Sequence, residues 1–288
     1  MSSLFELVER PDLESPVLVL ALDGWIDAGM GAAAARSTLL ERLDTVTVAT
    51  FDCDELLDHR ARRPTMHLED GVMTGLTWPT IELRAASDAD GNDFLLLAGA
   101  EPDHLWRAFS RAAVDLALEF GVRLVVGIGA YPAPVPHTRP SRLAVSASDP
   151  SLAAIAPVHT TVDVPAGVQA AIERRAHEVG LPAVGLWAQV PHYVAAMPYP
   201  AASAALVEAL GTVASLHIDA LPLLEQAAST RRRIDALVAD NEEHQAMVRQ
   251  LEESYDADEQ TSAGALGGGP LPSGDELAAE LERFLRDQ

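Results

Sequence analysis

Two aspartates four residues apart, Asp23 and Asp27, bracket Gly24-Trp25-Ile26 and run into Ala28-Gly29-Met30-Gly31. Carboxylates so spaced in one turn can face a single pocket and orient a base or bind a metal. Gly29 and Gly31 let a ligand approach the free N–H groups of a helix N-terminus, a natural anion site. The same aspartates repel a phosphate unless an arginine intervenes, and they serve equally well as turn and N-cap residues. A second set lies in GIGAYPAPVPHTRPSR, from Gly127 to Arg142. There Tyr131, His137, Thr138 and Arg139 bring a ring, an imidazole that titrates near neutrality, a hydroxyl and a fixed cation into one proline-stiffened loop. A third, in GLWAQVPHYVAAMPYPAAS, offers Trp187, Gln189, His192, Tyr193 and Tyr199.

If the three share a cleft, His137 or His192 is the general base, with Asp23 or Asp27 orienting it. Arg139 and the backbone of Gly29 and Gly31 bind an anion, and Trp25, Tyr131, Trp187 and Tyr193 line the site. The plainer alternative is that the prolines make rigid surface loops, Tyr131 and Arg139 pack or bridge subunits, and Trp187 belongs to the core. Asp52, Cys53, Asp54, Asp58 and His59 show no diagnostic metal-ligand spacing, so no metal and no cofactor are expected. No G-x-S-x-G elbow, H-E-x-x-H or correctly spaced G-x-G-x-x-G occurs.

Each set must be held by something, and the flanking sequence says what. PVLVLAL from Pro16 is a continuous apolar run of strand length, and Ala32 to Leu43 carries Leu39, Leu40 and Leu43 on a helical stripe. TVTVATF from Thr45 completes a strand-helix-strand start that implies a parallel sheet. Asp52 to Met66 reads as a polar crossover with one helical turn, and His67 to Ala86 as two extended pieces flanking GLTWPT, a hairpin excursion. FLLLAGA, VRLVVGIGAYP, AVSAS and AVGLWAQVPHYV supply further strands. PDHLWRAFSRAAVDLALEFG, Gly167 to Val179 and Tyr199 to Leu216 supply helices. This β-α-β succession predicts a three-layer α/β/α sandwich over 1–218 with a mostly parallel sheet. A helical extension with an apolar stripe follows over 219–255, then a Gly/Pro/acid linker over 256–274 and a terminal helix over 275–288, whose Leu277, Leu281, Phe284 and Leu285 share a face. Both stripes call for a surface to cover them, and a neighbouring subunit is the expected one.

Composition narrows the function classes. The 288 residues are 48% hydrophobic, enough for a substantial core. A net charge of −23 opposes nucleic acid and anionic lipid, so neither is an expected partner. All twenty basic residues are arginine; without lysine there is no Walker A phosphate clamp, no Schiff base and no Ser-Lys chemistry. The single Cys53 cannot form an internal disulfide. The N-terminus lacks a basic leader and no apolar run reaches the roughly 20 residues that cross a bilayer, so a cytoplasmic protein is expected.

DGWIDAG, GIGAYPAPVPHTRP, GLWAQVPHYVAAMPYP and the terminal LPSGDELAAELERFLRD together resemble the proteasome assembly chaperone 2 family, in its actinobacterial branch. The resemblance spans nearly the whole chain. It implies an α/β/α sandwich similar to the nucleoside phosphorylase fold, a homo-oligomer with a trimer favoured over a dimer, and a link to 20S proteasome subunits. It supplies no catalytic residues. Relatives that engage the proteasome often end in a hydrophobic-Tyr-X tail, where this chain ends Leu285-Arg286-Asp287-Gln288. The leading expectation is a non-enzymatic oligomeric scaffold or assembly chaperone. The alternative is a hydrolase or transferase acting on a small molecule at the strand carboxyl ends.

Overall fold

The computed structural model describes residues 4–156, 158 and 161–266. In chain order the strands are β1 (Phe5–Leu7), β2 (Val17–Asp23), β3 (Val46–Phe51), β4 (Thr65–Glu69), β5 (Val72–Thr77), β6 (Ile81–Ser87), β7 (Asp93–Ala100), β8 (Leu124–Ala133), β9 (Leu143–Ala147) and β10 (Ala183–Pro191). The helices are α1 (Gly31–Arg42), α2 (Cys53–Leu56), α3 (Trp106–Glu119), α4 (Pro150–Ala153), α5 (Val168–Glu178), α6 (Pro200–Ala214), α7 (Leu221–Ala239) and α8 (Glu242–Leu266).

Eight strands form one sheet in the order β1-β3-β6-β7-β2-β8-β10-β9, and β4 and β5 make a separate ribbon. The middle four, β7-β2-β8-β10, run parallel. β2 is apolar along its length because helices cover both of its faces. One core, with Val19, Val126, Ile128, Leu186 and Val190, lies beneath α1 and α6. The other, with Leu18, Leu95, Leu97 and Val125, lies beneath α3 and α5. These are the three expected layers.

The expected mostly parallel sheet is not what forms, nor is the nucleoside-phosphorylase-like arrangement supported. β1 with β3, β3 with β6, β6 with β7 and β9 with β10 all pair antiparallel, so the sheet is mixed and largely antiparallel. For β6 and β7, connection length is the physical reason. Residues 88–92 between β6 and β7 form a tight loop in which the Asp88 carboxylate accepts from the Asp90 and Asn92 N–H groups at 2.9 and 2.8 Å. A parallel pair needs a crossover of a dozen or more residues, and five permit only reversal. α1 does carry the chain from β2 to a strand of the same direction, but β6 and β7 lie between that strand, β3, and β2.

The hairpin excursion turns at Asp70-Gly71, both at positive φ, while GLTWPT begins within β5. The helical extension is two helices broken at Asp240 and Asn241, the Asn241 side chain accepting from the Glu243 and His244 N–H groups at 2.8 and 3.2 Å. Its own chain covers part of it: α7 buries Leu223 and Ile234 in the core that α6 also lines, while Leu221, Leu224 and Leu237 stay exposed. α8 continues to Leu266, beyond the residue where the linker is expected to start. The rest of that linker and the terminal helix lie outside the described residues.

Candidate functional site

The loop after β2 is closed by its own contacts. Asp27 Oδ1 accepts from the Ala32 N–H at 2.8 Å and Oδ2 from the Ala33 N–H at 3.0 Å, so a side-chain carboxylate sits where an anion would bind. Asp23 pairs with Arg36 at 2.6 Å. Gly29, at φ +64°, donates to Ala195 O and accepts from the Tyr199 N–H, both at 2.8 Å. A Cβ on Gly29 would lie 2.6 Å from Tyr199 Cβ, and one on Gly31 2.7 Å from Ala130 Cβ. The glycines let the loop nest against the turn that follows β10. Trp25 stays exposed at the loop's edge, near Gly167.

The second and third sets do meet. The Tyr193 hydroxyl accepts from the His137 backbone N–H at 2.8 Å and lies 2.6 Å from His137 Nδ1, while His137 Nε2 lies 3.0 Å from Asp235 Oδ1 on α7. One assignment satisfies every atom: Tyr193 O–H donates to Nδ1 and Nε2–H donates to Asp235. Burial pushes the His137 pKa below its ordinary value against the pull of Asp235, and burial pushes Tyr193 up to about 12. Both are therefore neutral near pH 7, and the His137 side chain is only 1% exposed. His192 packs edge-on to Tyr193 at 5.4 Å and is exposed.

Arg139 also has its anion, supplied by α8. Its Nε and Nη2 donate to Asp256 at 2.8 and 2.7 Å, and Nη1 to Glu252 at 3.1 Å. That fork-to-fork pairing raises the arginine pKa and lowers that of Asp256. Arg142 stacks 3.4 Å over the Tyr255 ring and donates to Tyr255 O at 2.8 Å, and the Tyr255 hydroxyl donates to Pro140 O at 3.0 Å. The proline-rich loop is thus a receptor for α7 and α8, through residues 137 to 142.

Tyr131 and Trp187 face the other way. Register places Gly127, Gly129 and Tyr131 of β8 beside Gly185, Trp187 and Gln189 of β10, on the α5 side of the sheet. Gln189 Nε2 donates to the Tyr131 hydroxyl at 2.9 Å, and Trp187 Nε1 to Ser146 Oγ at 3.2 Å. The Trp187 ring lies where a Cβ on Gly129 would fall, 2.4 Å away. Glu173 of α5 reaches the same patch: it accepts from Gln169 Nε2 at 2.9 Å and Ser146 Oγ at 3.0 Å, and burial pushes its pKa up to about 7. The aromatic residues of the three loops therefore lie on opposite faces of the sheet.

Sequence reasoning missed Asp235, Glu252, Asp256 and Glu173. The first three sit in a strongly acidic segment where no spacing marks one carboxylate from the next. Glu173 had a readable signal in the glycines at 127 and 185, whose bare backbones admit its Oε1. Among the described residues no group of three or more His, Cys, Asp or Glu is arranged to hold a metal ion, and no helix is long and apolar enough to cross a membrane.

The arrangement has solved counterparts. A Corynebacterium glutamicum protein of unknown function is 32% identical over 89% of this chain and 98% of its own, with a TM-score of 0.84. A Mycobacterium tuberculosis protein of unknown function is 36% identical over 92% of both chains, with a TM-score of 0.83. A Mycobacterium tuberculosis proteasome-assembly chaperone homologue is 30% identical over 81% of this chain and 99% of its own, with a TM-score of 0.75. No protein with a curated description matches. The PAC2 family model matches residues 21–238, which run from β2 through the loop that clasps the C-terminal helices and into α7, and the chain belongs to the PAC2 family.

Proposed function

We propose that this protein works by binding other proteins, as an oligomeric, assembly-chaperone-like scaffold in the cytoplasm, and that 20S proteasome subunits are its partners. One observation carries the reading: the groups best suited to chemistry are consumed in holding the chain together. His137 is buried with both ring nitrogens satisfied, and Arg139 is neutralised by Glu252 and Asp256. A general base needs a substrate proton within hydrogen-bond reach, and this imidazole is already bonded on both sides. The similarity to the mycobacterial proteasome-assembly chaperone homologue supports the choice of partner.

Native mass spectrometry of the chain mixed with unassembled actinobacterial 20S α- and β-subunits tests it. The expected result is a stoichiometric complex with unassembled subunits and faster appearance of assembled rings. Subunits that stay unbound and assemble at an unchanged rate would remove the proteasome as partner.

A further inference from the structure

The β4–β5 ribbon has the pattern of an element with one buried face, yet that face is bare. Met66 and Leu68 alternate along β4, and the register sets Leu76 opposite Met66 and Met73 opposite Leu68. These four side chains share a face and are 53, 56, 45 and 59% exposed in the order Met66, Leu68, Leu76, Met73. The other face carries Thr65, His67, Glu69 and Thr77, with His67 Nε2 2.7 Å from Thr77 Oγ1, and one apolar residue, the exposed Val72 opposite Glu69 near the tip. A ribbon of two strands with neither face covered is marginal in water. Contiguous exposed apolar side chains of this kind mark an interaction surface.

Charge says what covers it. Arg62 is paired with Asp103, but Arg60 and Arg63 at the ribbon's base have no carboxylate within ion-pair distance among the described residues. Nor do Glu69 and Asp70 at the tip have a cation. Residues 58–78 hold three arginines (60, 62 and 63) and three acids (58, 69 and 70), a neutral patch on a chain of net charge −23. Two copies repel one another over most of their surface but not here.

We propose that the ribbon is a self-association surface. Two copies pack the faces made by Met66, Leu68, Met73 and Leu76 together about a two-fold axis, with the ribbons antiparallel. Glu69 and Asp70 at each tip then lie against Arg60 and Arg63 at the other's base. Both ends meet at once because the tip-to-base distance, about 17 Å for five residues of strand, is the same in both copies. An isologous contact of this kind is closed and self-complementary. A face about 17 Å long and about 10 Å wide, with Trp78 at its base, buries roughly 300 Å² per copy, well below the usual ~800 Å². The dimer is accordingly weak and dissociates on dilution. This inference gives a surface to the oligomer in the reading above and is independent of the proteasome as partner.

Sedimentation equilibrium on the full chain over a range of concentrations is the test. The unaltered protein dimerises reversibly, and Leu68→Glu/Met73→Glu weakens the dimer at least about tenfold. Arg60→Glu/Arg63→Glu and Glu69→Arg/Asp70→Asn each abolish self-association, and an equimolar mixture of the two recovers it. Recovery requires both variants to be folded and requires tip to meet base. Association untouched by the Leu68 and Met73 changes overturns the ribbon and leaves the oligomer standing on another surface. Loss in the apolar variant without recovery in the mixture overturns the two-fold pairing in favour of a different occupant. A monomer at every concentration overturns both the ribbon and the oligomer.

Discussion

Glu173→Gln isolates one carboxyl whose environment works against its charge. Its tip lies against the bare, buried backbones of Gly127 and Gly185, where added Cβ atoms would lie 2.7 and 2.6 Å from Oε1. Only the neutral donors Gln169 and Ser146 reach it, and among the described residues no arginine or histidine pairs with it. Burial therefore raises its pKa from the ordinary 4.5 to about 7. The folded state holds this proton more tightly than the unfolded state does, so the free-energy cost is absent below pH 4.5. It grows between pH 4.5 and about 7, then stays constant. At about 1.4 kcal/mol per pH unit the full effect would be about 3.5 kcal/mol; the side chain is only half-buried, which brings it nearer to about 2. Glutamine keeps the shape without the titration: its amide oxygen accepts from Gln169 Nε2 and its NH2 group donates to Ser146 Oγ, which reverses that one bond. Urea unfolding at a series of pH values, followed by the fluorescence of the four tryptophans, Trp187 of the same patch among them, is the assay. The variant should match the parent at pH 4 to 5 and exceed it by about 2 kcal/mol at pH 8, a rise in melting temperature of roughly 4–8 °C. Stability curves that run parallel across the whole range, or a variant weaker at pH 8, would refute the argument from burial.

Three further outcomes follow from the same geometry. Because His137 is held neutral, with its pKa lowered by burial, its contribution is present above its ordinary value of 6.5 and lost as pH falls through the lower folded value. Amide protection factors, the exchange rates taken relative to the intrinsic rate at each pH, should therefore fall on acidification in residues 134–142 and in α7, and His137→Gln should flatten that dependence. Arg139→Ala removes a partly exposed ion-pair cluster and should free α8 to exchange while leaving the sheet protected; raising the salt to about 1 M should act in the same direction. Gly99→Ala sets a Cβ 2.0 Å from Thr80 O at φ +117° and should cost about 3 kcal/mol or more, whereas Gly91→Ala, at φ +84° in open space, should cost about 1 kcal/mol; thermal melts of the two side by side decide it.

How much was legible in the chain depends on where the information sits. The runs at Val17–Asp23, Asp93–Ala100 and Ala183–Pro191, the stripe of α3 closed by Gly121, and the helix pair after Leu216 announce themselves locally. Apolar periodicity records which face of an element is covered. A layered α/β/α body with a helical appendage was readable for that reason, as were three loops at strand ends rich in polar and aromatic groups. The turn at Asp70-Gly71 carried a signal too, since an Asp-Gly pair between extended segments marks a tight hairpin; taking GLTWPT as the segment between the two extended pieces obscured it, and its first three residues belong to β5.

Tertiary structure decided which strands became neighbours and the fate of the candidate residues. An apolar strand looks the same whether its neighbour runs parallel or antiparallel, so the reversals at β6–β7 and β9–β10 were invisible in periodicity. Side chains alternate across a sheet, and a register shift of one residue moves a side chain to the opposite face. Tyr131 and His137, in one loop by sequence, ended on opposite sides because β8 holds the first and stops at Ala133, before the loop carries the second; Tyr131 lies beside Gln189 and His137 beneath Asp235. Sequence showed that Arg139 would seek an anion; only the fold showed that Glu252 and Asp256, more than a hundred residues away in the chain, supply it. The types of group at a site are written locally, whereas their partners are set by which distant elements are brought into contact.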